Sequence, residues 1–130
     1  MESYPTSTST LAAKIYSELT STFVSALTSA PGPYLPVDTI LNVNYASIDN
    51  CASADAYKFV FSRLVWNPFS TDAEVCGSDH WPSEGSVVGK GCYASVSVLN
   101  ADSKLDQNST VQAQVYERLQ STSLPLTCLD

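Results

Sequence analysis

The stretch Ala30-Pro31-Gly32-Pro33-Tyr34-Leu35-Pro36-Val37-Asp38-Thr39-Ile40-Leu41-Asn42-Val43-Asn44-Tyr45 joins two segments of different periodicity. Upstream of it, Leu11, Ile15, Leu19, Phe23 and Leu27 recur every four residues, with Ala12, Tyr16 and Val24 widening the stripe. That spacing predicts an amphipathic helix. Thr8, Ser9 or Thr10 would supply its N-cap oxygen, and residues 1–10 read as a flexible polar tail ahead of a single domain over 11–130. The prolines at 31 and 33 stop the helix. Downstream, Leu41, Val43 and Tyr45 alternate with Asn42 and Asn44, the period of a strand with unlike faces. Helix, short Pro/Gly loop and strand form half of a βαβ unit, so the expected fold class is α/β.

Further along, Tyr57–Trp66 is rich in β-branched and aromatic residues and predicts a second strand, which Asn67-Pro68 ends. Residues 67–86 carry no clear period and read as a long functional loop or protruding arm. Gly89-Lys90-Gly91 reads as a turn, and Cys92–Leu99 as another strand with Ala94, Val96 and Val98 on one side. A last helix starts near Ser109, where Ser109 and Gln112 fit a capping box and Val111, Val115 and Leu119 form the buried stripe.

The chain has 130 residues, 44% of them hydrophobic and only 15% charged, with a formal net charge of −7. This length accommodates one domain with a core. The negative balance repels a phosphate backbone and argues against nucleic acid as partner. No apolar run is long enough to span a bilayer. Cys51, Cys76, Cys92 and Cys128 include no C-x-x-C pair, a poor zinc pattern. Their even number, with low charge and abundant Ser and Thr, suits disulfides in an oxidising compartment, and three connectivities stay open. Asn108-Ser109-Thr110 is a glycosylation sequon that also fits a helix cap. The residues after Met1 have neither the basic nor the apolar part of a secretory leader, so either the protein stays inside the cell or polypeptide preceding Met1 is missing.

Candidate chemistry is sparse. Gly85-x-x-x-Gly89-Lys90 has one residue too few between its glycines for a phosphate loop, and Gly91 replaces the required Ser or Thr. Gly89-x-Gly91-x-x-Ala94 leads into a strand where a dinucleotide fingerprint needs a helix. His80 is the only histidine, and no G-x-S-x-G elbow accompanies it. Asp79, its neighbour in sequence, is not expected to face it. Asp72/Glu74 and Asp102/Asp106 read as solvated loop charges, and Asn42 and Asn44 as side chains bonding nearby loops.

A series of segments nonetheless resembles the C-terminal half of fungal SurE-like proteins, the survival-protein 5′/3′-nucleotidases and acid phosphatases. It comprises Leu11-Ala-Ala-Lys-Ile-Tyr-Ser-Glu-Leu19, Pro33-Tyr-Leu-Pro36, Leu41-Asn-Val-Asn-Tyr45, Cys51-Ala-Ser-Ala-Asp-Ala-Tyr-Lys-Phe-Val60, Val75-Cys-Gly77, Gly91-Cys-Tyr-Ala-Ser-Val-Ser-Val98 and Leu126-Thr-Cys128. The resemblance implies part of a Rossmann-type three-layer fold and, for the family, hydrolysis of nucleotides or other phosphomonoesters with a divalent Mg or Mn ion. The family's metal ligands are a pair of adjacent aspartates, a serine and an asparagine in the N-terminal half. They have no counterpart here, so no catalytic or metal residue is carried over, and the chain alone is expected to bind no ion and to be inactive. Residues 57–99 would correspond to an extended β-hairpin arm used in homo-oligomer contacts. A leader preceding the absent half would place the protein in the secretory pathway or outside the cell. The rival expectation is a non-enzymatic, disulfide-bonded, secreted binding or interaction module.

Overall fold

The structure is a computed structural model that describes residues 6–129. Among these, three α-helices surround a three-stranded mixed sheet. The expectation of a mixed α/β chain is met.

Helix α1 spans Thr6–Leu27, so residues 6–10 have helical backbone and Thr8–Thr10 lie inside the helix rather than at its cap. Its buried line is Ile15, Leu19, Phe23 and Ala26, at spacings of four, four and three. Leu11 and Val24, assigned to that stripe by periodicity, are 42% and 50% exposed. The first buried residue of the helix is Ile15, a full turn after Leu11 among the residues whose burial is described.

Strand β1 (Thr39–Tyr45) pairs antiparallel with β3 (Tyr93–Asn100), and β2 (Lys58–Ser62) pairs parallel with the other side of β3. The order is β1-β3-β2. Residues 57–99 are therefore not a hairpin arm: a hairpin would make β2 and β3 antiparallel. The connection between them instead carries a short helix α2, Glu84–Lys90, as parallel strands require a crossover. This helix occupies part of the stretch read as loop and turn. Ser83 caps it by accepting from the Ser86 N–H, Glu84 lies in its first turn and Lys90 in its last, which complements the helix dipole.

Register puts Leu41, Val43, Tyr45, Phe59, Phe61, Ala94, Val96 and Val98 on one face. Phe59 stacks on Phe23 of α1, and Phe61 meets Tyr116 of α3 (Ser109–Gln120) edge-on. The opposite face carries Asn42, Asn44, Ser62, Ser95 and Ser97 and lies beneath α2. Small hydroxyl side chains let α2 approach closely, and the Ser62 and Ser97 hydroxyls satisfy each other at 2.7 Å.

Helix α3 begins at Asn108, whose side chain accepts from the Val111 N–H. The cap reading of Asn108 holds, whereas the Ser109/Gln112 capping box does not: the Gln112 side chain is committed elsewhere. Near the other end of α3, Arg118 donates to the carbonyls of Leu27, Ala30, Pro31 and Pro33 and lies over the Tyr34 ring. One guanidinium thus ties the last helix to the end of the first.

Candidate functional site

The four cysteines form Cys51–Cys92 and Cys76–Cys128, with Cα separations of 5.6 and 5.8 Å. The first joins the loop after β1 to the residue before β3. The second joins the 63–83 loop to the C-terminal segment. Both accord with an extracellular or otherwise oxidising setting. No described helix is long and apolar enough to cross a membrane.

The 63–83 loop does not protrude. It is held down by Asp72, which is only 2% exposed. Arg63, at the end of the β2 run, forms an ion pair with Asp72 and approaches Asp106 at 3.5 Å. Asp72 also accepts from the Gln112 side chain at 2.9 Å and the Trp81 N–H at 2.7 Å. Gln112 in turn accepts from the Ala73 N–H, while the Trp81 indole donates to the Ala73 carbonyl. Asp106 accepts from the Leu64 N–H. Asp72 is therefore a buried and Asp106 a half-buried member of one network, not solvated loop charges, whereas Glu74 and Asp102 are exposed as that reading has them. Taking a carboxylate and a guanidinium out of water is tolerable only when each is paired and hydrogen-bonded.

Two further carboxylates, Glu84 and Asp79, are also engaged. Glu84 accepts from Asn42 at 2.7 Å, which fits the expectation that Asn42 bonds a neighbouring segment. Asp79 does face His80, with its carboxylate 2.8 Å from Nδ1, because the Ser78–His80 turn folds the two side chains together. His80 Nε2 lies 3.2 Å from the Pro68 carbonyl, so no serine occupies the position a general base would serve. Among the described residues no group of three His, Cys, Asp or Glu side chains is placed to hold a metal ion. With Asp72 and Asp106 both committed to Arg63, the donor set does not fit a divalent cation, and no step through one is derived.

What the loop does build is a groove of about 510 Å³ along the free side of β2. Phe61 forms its floor, Trp81 and Tyr116 its inner wall, and Trp66, His80 and Leu126 its rim. The Cys76–Cys128 bridge closes one side. Phe61 contacts Trp81 and Tyr116 edge-on, both at 5.3 Å between ring centroids, so the three rings form one aromatic cluster. Phe69 is 96% exposed, on the outer surface of the same loop.

Sequence reasoning missed this groove and the network beneath it. One signal was available: Arg63 lies between the apolar triplets Phe59-Val60-Phe61 and Leu64-Val65-Trp66, and a buried guanidinium demands a carboxylate. No family model, no curated protein and no solved structure matches the chain.

Proposed function

We propose that the chain is the C-terminal part of a SurE-like phosphomonoester hydrolase, contributing sheet and cross-links rather than cation ligands. The observation that carries this reading is the pairing of Leu41–Tyr45 with Ala94–Val98 as adjacent strands. These are the two segments on which the resemblance rests most broadly, and their adjacency supports a common core. The engaged carboxylates fit a part that leaves ion binding to other polypeptide. Without a cation to shield the phosphoryl oxygens, the electrostatic part of the catalysis is lost.

The test is phosphate release from nucleoside monophosphates with Mg²⁺ or Mn²⁺. The isolated chain is expected to give none. Turnover abolished by a chelator would overturn the assignment of ion binding to other polypeptide.

A second reading, a cross-linked module that binds a small ligand, is favoured by the aromatic groove on the β2 edge. It predicts a monodisperse product that melts cooperatively with both disulfides intact. Aggregation or partial order of the oxidised chain would count against it.

A further inference from the structure

Alternate residues of a strand direct their backbone N–H and C=O to opposite sides. The Lys58 N–H donates to the Cys92 carbonyl, so Lys58, Val60 and Ser62 address β3, while Phe59, Phe61 and Arg63 address the groove side. Two of those three are satisfied. Phe59 donates to the Pro125 carbonyl at 2.8 Å and accepts from the Thr127 N–H at 2.9 Å. Arg63 donates to the Pro82 carbonyl and accepts from the Glu84 N–H, both at 2.8 Å. Between them, the Phe61 N–H and C=O take no partner among the described residues, although Phe61 is only 5% exposed. Buried backbone groups are nearly always paired, with protein, water or ligand.

Both flanking bridges are parallel to β2, Leu126 with Phe59 and Ser83 with Arg63. A parallel partner satisfies a residue with the C=O preceding one of its own residues and the N–H following it. The vacant rung therefore calls for one amino-acid unit with an amide on each side. A longer strand is excluded, because 125–127 and 82–84 already occupy the neighbouring rungs. The side chain of that unit would face Trp81, Tyr116 and Trp66, and a volume of about 510 Å³ suits a ligand of this size. The chain's net charge of −7 favours a neutral ligand over a free acid.

We propose that this groove binds a neutral, doubly amide-capped aromatic or branched apolar amino-acid unit, hydrogen-bonded to the main chain of Phe61. The proposal rests on the binding-module reading and names its ligand class. It is independent of the phosphatase reading.

The probe is N-acetyl-phenylalanine N-methylamide, titrated into the oxidised full chain and followed by the amide proton and nitrogen resonances. The Phe61 amide is expected to shift saturably. The matching N,N-dimethylamide lacks the donor for the Phe61 carbonyl and should bind about ten-fold more weakly. A five-residue peptide with the same central residue should also bind more weakly, because its ends meet the occupied rungs. Trp66→Ala, at an exposed rim position, should weaken binding without altering the melting transition. Equal binding of methylamide and dimethylamide, or no saturable shift at Phe61 in a cooperatively melting chain, would overturn the proposal while leaving the module reading intact. A chain without a cooperative transition would remove both.

Discussion

At Tyr57 a fully buried phenol donates to the Ala46 carbonyl at 2.6 Å, and Tyr16 donates to the same carbonyl at 3.2 Å. Burial first, then the neighbouring Tyr16 hydroxyl, pushes the Tyr57 pKa up from 10.0 to about 12. The folded state thus favours the neutral phenol. Its contribution to stability is complete below pH 10 and is lost as pH rises through about 12. Tyr57→Phe is expected to cost about 1 kcal/mol at neutral pH and to flatten the decline of the urea midpoint above pH 10 relative to wild type. An unchanged alkaline slope would contradict this. Arg63 sets a larger stake. Arg63→Met strands Asp72 as a buried charge with only neutral donors, and urea unfolding should register a loss of about 3–5 kcal/mol. Asp72→Asn should cost less, since Arg63 keeps Asp106 and the amide still accepts a hydrogen bond.

Among the elements, α3 shows how a single residue can serve a helix and remain available for modification. The Asn108 oxygen caps the helix, leaving the amide nitrogen, the atom a glycan would take, out of the cap bond. Asn108→Ala should lower stability by about 1 kcal/mol, while Thr110→Ala removes the sequon and keeps the cap. Expression in a secretory host followed by intact-mass measurement separates the two: a glycan on the wild type should disappear in both variants, but only the first should lose stability. This helix was legible because Val111, Val115 and Leu119 repeat at helical spacing. So was β1, through its strict alternation. Helix α2 was not, because Gly85 and Gly89 give a poor helix former that the Ser83 cap, the end charges, the Asn42–Glu84 bond and the burial of Val87 hold in place. The parallel pairing of β2 with β3 was equally hidden, since nothing local to either strand names its partner. The groove draws on separate segments around 60–61, 75–82, 116 and 126–129, each unremarkable in isolation. Arg63, Asp72, Asp106 and Gln112 are likewise too far apart in sequence for their charges to announce a network.

Across the whole molecule, the two bridges span 41 and 52 residues and overlap in sequence, so together they constrain everything from Cys51 to Cys128. Non-reducing peptide mapping should recover Cys51 with Cys92 and Cys76 with Cys128, and reduction should destabilise the fold by about 2–5 kcal/mol per bridge. Any other pairing would require the C-terminal segment to leave the edge of β2. The tie made by Arg118 has a different consequence, one of timing. During translation α1 emerges before α3, so the carbonyls at its exit wait for a guanidinium roughly ninety residues later. Ile15, Leu19 and Phe23 share a core with Val115, Leu119 and Leu124, so the nascent polypeptide must keep them soluble, or sheltered by a chaperone, until α3 has left the ribosome. Lys in place of Arg118, with a single ammonium for four acceptors, would lengthen that exposure.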